Sequence, residues 1–389
     1  MSVTEQEFPT IRIVDSLIAN AIMRSASDIH FEPTSHQLRI RLRIDGILYD
    51  HEPLDHIIMH QLLSRLKILA NINIAEKRIP QDGKFRIINN GHEIDLRVST
   101  FPTLYGEKIV VRILDRTDHM IELNKLGFSA SMLAKIKELL HKSSGFFLVS
   151  GPTGSGKTTT LYAALNSINT PEKNIITLED PIEYFLPGVL QGQINPDVGF
   201  TFEKGIRALL RQDPNIVMVG EIRDKQTARI AIEAALTGHL VFSTVHTVDA
   251  PSVIMRLMDM GIEPFLINAA VTGVLAQRLA RKICVSCKIE RTVTQDERAI
   301  LEKYNATLNS VFTGMGCNEC AGLGYKGRIG IFELLIIASS LRVLIVQHPS
   351  FEEIYKQAVE DGLQTLIQDG LEKVAQGIIS LQELMRLVA

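Results

Sequence analysis

The residues best placed to do chemistry are Gly151, Pro152, Thr153, Gly154, Ser155, Gly156, Lys157, Thr158 and Thr159, a run that follows the apolar Phe146 to Val149 and leads into a helix-compatible segment. The glycines let the backbone curl so that successive N–H groups point at phosphate oxygens. Lys157 supplies a point charge for the β- and γ-phosphates, and Thr158 offers a hydroxyl to Mg²⁺. The pattern predicts a nucleoside triphosphate site. A glycine-rich turn with no ligand is the plain alternative, and the strand-loop-helix setting argues against it.

The second constellation is the four cysteines, Cys284 with Cys287 and Cys317 with Cys320, two C-x-x-C pairs with residues 288–316 between them. A two-residue spacer lets both sulfurs of a pair face one ion, so the set predicts a tetrahedral thiolate site, zinc first, in a structural role because no position is left open. A redox dithiol is the alternative, and two pairs are harder to explain that way than one.

These groups need elements to hold them. Short apolar runs at Phe146 to Ser150, Ile175 to Leu178, Ile216 to Val219 and Leu240 to Thr244 alternate with amphipathic helical segments. That order implies a mostly parallel sheet covered on both faces, with ligands at the strands' C-terminal ends. Each run ends in polar residues: the glycine loop, Glu179 to Glu183, Gly220 to Asp224, and Ser243 to His246.

The first 115 residues read differently. Leu38, Ile40, Leu42 and Ile44 alternate with arginines before a turn at Asp45-Gly46, and a second hairpin is expected at Asn89-Asn90-Gly91 ahead of Ile94, Leu96 and Val98. Leu62, Leu63, Leu66 and Leu69 repeat at helical spacing within His60 to Ala70. The expected organisation is a small α/β domain over 1–115, a polar linker over 116–125, and a nucleotide-binding domain over 126–389. Within the last, residues 281–328 form the cysteine module and 340–389 a helical end to which no chemistry is assigned.

At 389 residues with 46% hydrophobic content the chain can bury a large core. Its net charge of −3 gives no general attraction to nucleic acid, so no direct nucleic-acid partner is expected. Met1 to Thr10 lacks the apolar run of a signal peptide. The apolar stretch Phe265 to Ala276 is broken by Asn268, Thr272 and Gly273 and falls short of the roughly 20 residues of a membrane span. A cytoplasmic protein is expected, reaching a membrane only through partners.

Four boxes together resemble the type II secretion and type IV pilus ATPases: the loop Gly151 to Thr158, the acidic stretch Leu178 to Tyr184, the segment from Leu210 to Asp224, and Thr237 to Thr247. Ala26 to Pro33 and Arg43 to Gly46 match as well, so the resemblance covers almost the whole chain. The paired cysteines resemble the secretion and pilus-extension branch. Members of that branch commonly carry a further N-terminal domain, whereas this chain starts almost directly at the Ala26 to Pro33 region, as competence-type relatives do.

The resemblance implies a RecA-like ATPase domain preceded by a PAS-like one, a homo-hexamer, ATP, Mg²⁺ and Zn²⁺ as cofactors, and inner-membrane platform proteins as partners. It implies a motor for pilus or pseudopilus assembly in which the N-terminal domain closes on the ATPase domain. A DNA-uptake motor and a slow nucleotide-dependent switch are the alternatives, and steady-state phosphate release separates motor from switch. By resemblance Glu221 orients or activates the attacking water, with Glu183 as runner-up and capping of the next helix as the plain alternative for Glu221. His246 senses the γ-phosphate, while His239 stays open between site and structural roles. Arg97 and Arg112 reach the phosphates from the N-terminal domain; Arg207, Arg211 and Arg328 act near or across a subunit boundary. Arg207 and Arg211 are expected on one helix face.

Overall fold

The computed structural model describes residues 7–89, 91–115 and 121–388. The chain divides into two compact units, residues 1–119 and 120–389. Residues 116–120 of the expected linker lie outside the described residues.

In the first unit the order is α1 (Glu7–Met23), β1 (Ala26–Pro33), β2 (Gln37–Ile44), β3 (Ile47–Asp55), α2 (His56–Leu69), β4 (Gln81–Asn89), β5 (His92–Thr103) and β6 (Gly106–Asp115). The strands form one antiparallel sheet in the order β3-β2-β1-β6-β5-β4. Leu38, Ile40, Leu42 and Ile44 of β2 are all buried, as their alternation requires. Asp45 and Gly46 both take positive φ, 48° and 85°, the backbone a tight two-residue hairpin needs. Asp55 caps α2 by accepting from Ile57 N at 2.8 Å, so the helix starts four residues before the expected His60. β4 and β5 pair as a hairpin, with Asn90 of its expected turn outside the described residues. Helix α1 was not anticipated; Val14, Leu17, Ile18 and Ala21 form its buried stripe.

The second unit runs α3 (Ala130–Leu140), β7 (Gly145–Ser150), α4 (Lys157–Ile168), β8 (Ile175–Glu179), β9 (Leu190–Gln193), α5 (Phe202–Leu209), β10 (Ile216–Val219), α6 (Lys225–Leu236), β11 (Leu240–Val245), α7 (Pro251–Asp259), α8 (Pro264–Ala270) and β12 (Val271–Ile283). Then follow β13 (Lys288–Thr292), α9 (Gln295–Lys303), β14 (Ser310–Gly314), β15 (Tyr325–Ile336), α10 (Ser339–Ile345), α11 (Phe351–Glu360), α12 (Leu366–Ala375) and α13 (Leu381–Val388). The main sheet has the order β15-β12-β7-β11-β10-β8-β9, parallel from β12 to β9 with β15 antiparallel at one edge.

Separate apolar clusters cover the two faces of this sheet. Phe146, Val217, Val241 and Ala231 belong to one, and Phe147, Met218, Phe242 and Leu161 to the other. Alternate residues of one strand thus enter opposite cores, which is why β7, β10 and β11 read as unbroken apolar runs. Because β7, β11, β10 and β8 are parallel neighbours, their polar C-terminal ends emerge along one sheet edge. The apolar stretch Phe265 to Ala276 is shared between α8 and the start of β12, and no helix among the described residues is long and apolar enough to cross a membrane.

Candidate nucleotide site and tetracysteine centre

The glycine loop joins β7 to α4. Gly151, Gly154 and Gly156 have φ of 146°, 78° and 87°, conformations that residues with a Cβ seldom adopt. A Cβ on Gly151 would stand 2.6 Å from both Gln277 O and Ser155 Oγ, so this glycine is required by space as well as by backbone shape. Gly156 is the N-cap of α4, and the first free N–H groups of a 12-residue helix face the loop's mouth. Lys157 folds over the loop, its Nζ donating to Gly151 O at 2.8 Å and to Pro152 O at 3.1 Å. Burial pushes its ammonium down to about 8; Glu221 opposes that shift and Arg278 adds to it. Thr158 and Thr159, in the first turn of α4, are half-buried.

Glu221 follows β10. Its backbone is fixed on both sides: Gly220 N donates to Leu178 O at 2.7 Å, Ile222 N to Thr244 O at 2.9 Å, and the Thr244 hydroxyl to Gly220 O at 2.8 Å. One carboxylate oxygen accepts from Arg223 Nη2, and the other lies 3.7 Å from His246 Nε2. Asp224, not Glu221, caps α6, accepting from Thr227 N at 2.8 Å and from its hydroxyl at 2.9 Å. The carboxylate of Glu221 is therefore free of helix-capping duty. Burial lowers the His246 pKa, the Lys157 and Arg223 charges lower it further, and Glu221 acts against them. Lys157, Glu221 and His246 are brought into one electrostatic neighbourhood.

The other expected residues are spread more widely. Glu183 is exposed in the loop after β8. The buried carboxylate of that acidic stretch is Glu179, which accepts from Tyr162 Oη, from Thr177 Oγ1 at 2.5 Å and from Gln191 Nε2 at 3.2 Å. His239 sits at the opposite end of β11 from His246, its Nδ1 2.9 Å from Ala234 O, which makes it a tie to the end of α6 rather than part of the site. Arg207 is in the last turn of α5, 3.5 Å from Glu203. Arg211 lies beyond the end of α5, so the shared helix face does not form; its Nη1 instead donates to Arg207 O at 2.7 Å. Arg328 is exposed on β15, directly opposite Arg281.

In the N-terminal unit Arg97 and Arg112 are direct cross-strand partners, and Lys84 is Arg97's partner on its other side. Direct partners share a sheet face, so three cations stand in a row. They line a groove of about 570 Å³ together with Asp82 and Ser99. Asp28 holds Arg112 at 3.0 Å.

Two site residues escaped the sequence reading, Gln277 and Arg278 of β12. Gln277 Nε2 donates to Ser155 O in the loop, and Arg278 donates to Gln277 O and to Val248 O, beyond His246. The signal that would have found them is the assignment of β12 itself, since a strand paired with β7 as far as Ser150 must pass beside the loop that β7 feeds.

The four cysteine sulfurs lie within 4.8 Å of one another, with Cys284–Cys317, Cys287–Cys320 and Cys317–Cys320 each at 3.8 Å. That is far beyond a disulfide bond. It equals the edge of a tetrahedron whose vertices are about 2.3 Å from a central ion, about 3.8 Å. Backbone N–H groups of Gly316, Cys317 and Gly324 point at the sulfurs at 3.2–3.3 Å. Burial raises the Cys320 thiol, but the N–H groups of Cys317 and Gly324 and the neighbouring thiols outweigh it and hold the group at about 6. The donor set fits a four-coordinate metal with no open position.

A parallel sheet whose β7 runs into a glycine loop with a buried lysine, with a carboxylate just past the end of β10, two strands along the same sheet edge, defines a P-loop ATPase. The model of the family "Type II/IV secretion system protein" matches residues 3–386, and this chain belongs to that family. It is 47% identical over 376 residues to the type IV pilus assembly ATPase PilB of Thermus thermophilus, covering 96% of this chain and 42% of that protein. Against the type II secretion system protein E of Aeromonas hydrophila the identity is 46% over 382 residues, covering 98% of this chain and 76% of the relative. Among solved structures, the pilus retraction motor PilT with bound ADP superimposes with a TM-score of 0.62 at 28% identity, over 95% of each chain.

Proposed function

We propose that this chain is a Mg²⁺-dependent ATP-hydrolysing motor that works as a homo-hexamer on an inner-membrane platform and powers assembly of a type II secretion pseudopilus or a type IV pilus. The observation that carries the hydrolytic part is the placement of the Glu221 carboxylate beside His246 and within the field of Lys157. Lys157 and the loop N–H groups hold the β- and γ-phosphates. The Thr158 hydroxyl would hold Mg²⁺, which would supply positive charge at the phosphates. Glu221 orients the water that attacks the γ-phosphorus and takes its proton while the bond to the β,γ-bridging oxygen breaks and ADP leaves, and His246 reads whether the γ-phosphate is present. Arg97 and Arg112 bring further positive charge from the N-terminal unit, and Arg207, Arg211 and Arg328 act at subunit boundaries, where a supplied arginine is worth about 10³–10⁵ in rate. Glu183 stays the secondary candidate for the water.

Zinc is the ion assigned to Cys284, Cys287, Cys317 and Cys320, where it cross-links the module and does no chemistry. The names of the relatives, a type IV pilus assembly ATPase and a type II secretion system protein, support pilus assembly or secretion as the load. Steady-state phosphate release by the purified chain, abolished by Lys157→Ala, tests the motor reading; nucleotide binding without turnover would leave only a switch. Copurification from detergent-solubilised inner membrane tests the platform and separates secretion components from pilins.

A further inference from the structure

Gln277 closes the rear of the phosphate loop. It follows directly on Ala276, the last β12 residue to pair with β7 (opposite Ser150), and it is 1% exposed. Its Nε2 donates to Ser155 O at 2.6 Å across 122 residues of sequence. No slack remains between the two: a Cβ on Gly156 would come 3.3 Å from that Nε2, and one on Gly151 2.6 Å from Gln277 O. Gln277 Oε1 and Ser155 Oγ are both buried with no hydrogen-bond partner among the described residues, so the amide-to-carbonyl bond is the polar tie between these side chains and the loop. Only a donor can face a carbonyl, which fixes the amide's orientation.

The consequence follows from peptide geometry. Ser155 C=O and Gly156 N–H belong to one planar trans unit and point in opposite directions. With the carbonyl held toward β12, the Gly156 N–H is turned away from it, toward the start of α4 where an anion meets the free helix donors. Gly156 sits at φ 87°, a conformation glycine enters as readily as its mirror, so the residue itself does not fix how this peptide is turned and the Gln277 amide does.

We propose that Gln277 is a positioning residue for the nucleotide's phosphates: its amide holds the Ser155–Gly156 peptide so that Gly156 N–H faces the anion. This rests on the reading of Gly151 to Thr159 as a phosphate site.

The test is calorimetric titration of the full chain with ADP and with inorganic tripolyphosphate, which has neither base nor sugar. Gln277→Met keeps the shape and removes the donor, leaving Ser155 O buried and unpaired. Both ligands are expected to weaken by about tenfold or more, since an unpaired buried carbonyl frees the peptide to turn. Unchanged affinity for both in a variant with a lowered Tm would assign Gln277 to stability alone and overturn the proposal. Lys157→Ala separates the two readings: if it loses binding and Gln277→Met does not, only the role of Gln277 fails, whereas if neither loses binding the phosphate site itself is wrong. Should Gln277→Met not fold, glycine-selective ¹⁵N labelling of the unaltered chain decides. Tripolyphosphate is expected to shift the Gly156 amide strongly, and an unmoved Gly156 signal at saturation would overturn the assignment.

Discussion

Glu221 Oε2 and His246 Nε2 stand 3.7 Å apart, a carboxylate from the end of β10 facing an imidazole from the end of β11. Both sit one residue or two past parallel strands that pair in register from Ile216↔Leu240 to Val219↔Ser243, so the spacing is set by the sheet and not by loop freedom. Glu221→Gln keeps the side chain's size and removes its charge. Nucleotide affinity is expected to stay within about threefold while kcat falls by roughly 10²–10⁴, the range for loss of a general base. Binding measured by fluorescent ADP beside single-turnover hydrolysis checks this, and weakened binding with unchanged turnover of bound ATP would remove Glu221 from the chemistry.

Lys157 gives a pH dependence with a definite sign. In the empty site burial holds its ammonium at about 8, and phosphate oxygens restore the charge when nucleotide binds, so the bound pKa is higher than the free one. ADP affinity is therefore expected to be level below pH 8 and to fall by about tenfold per unit above it, with proton uptake on binding in that range. Titration calorimetry in buffers of different ionisation enthalpy reads both quantities. An affinity that is flat from pH 7 to 9.5 would contradict the geometry.

The cysteine centre is expected to hold one zinc per chain in freshly purified, reduced protein, measured by elemental analysis. Its removal should loosen more than the loop that bears it. Ala280, Val293, Leu301, Val311 and Ile331 share a core with Leu366, Leu371 and Leu384 of α12 and α13, and Arg281 donates to buried Glu383 at 2.8 Å. Cys284→Ser should thus raise amide exchange over 281–328 and 366–388 while β7 and β11 stay protected. Exchange that rises uniformly across the sheet would show that the module has no separate stability.

Arg207 is exposed at the end of α5 and close to one carboxylate, Glu203 at 3.5 Å, an exposed pair worth little to stability. Arg207→Ala should then leave Tm unchanged and abolish hydrolysis in the assembled motor. Mixed oligomers of Lys157→Ala and Arg207→Ala chains are expected to regain part of the activity, because some boundaries join an intact loop to an intact arginine. Activity that never exceeds the sum of the two inactive chains, with subunit exchange demonstrated, would put Arg207 in its own subunit's site.

Local signals carried much of this molecule. The glycine loop is legible because only glycine fits φ near +80° at Gly154 and Gly156 and because the lysine must follow at once. The cysteine pairs are legible because ligand spacing is a local property. β7, β10 and β11 are legible because burial on both faces leaves an uninterrupted apolar run. Tertiary structure decided what depends on distant segments. Phe265 to Ala276 has one composition but two fates, α8 and β12, and the choice is made by pairing of β12 with β7 and β15. No local pattern announces that pairing, so Gln277, which reaches Ser155 through it, stayed hidden. The acidic stretch could be located by its residues, yet which of its carboxylates is buried was settled by Tyr162 of α4 and Gln191 of β9, 17 and 12 residues from Glu179, closing over it. His239 and His246 bound the same strand in the sequence, and only the direction of β11 in a parallel sheet sends one to the nucleotide edge and the other to the far end, where it ties down α6.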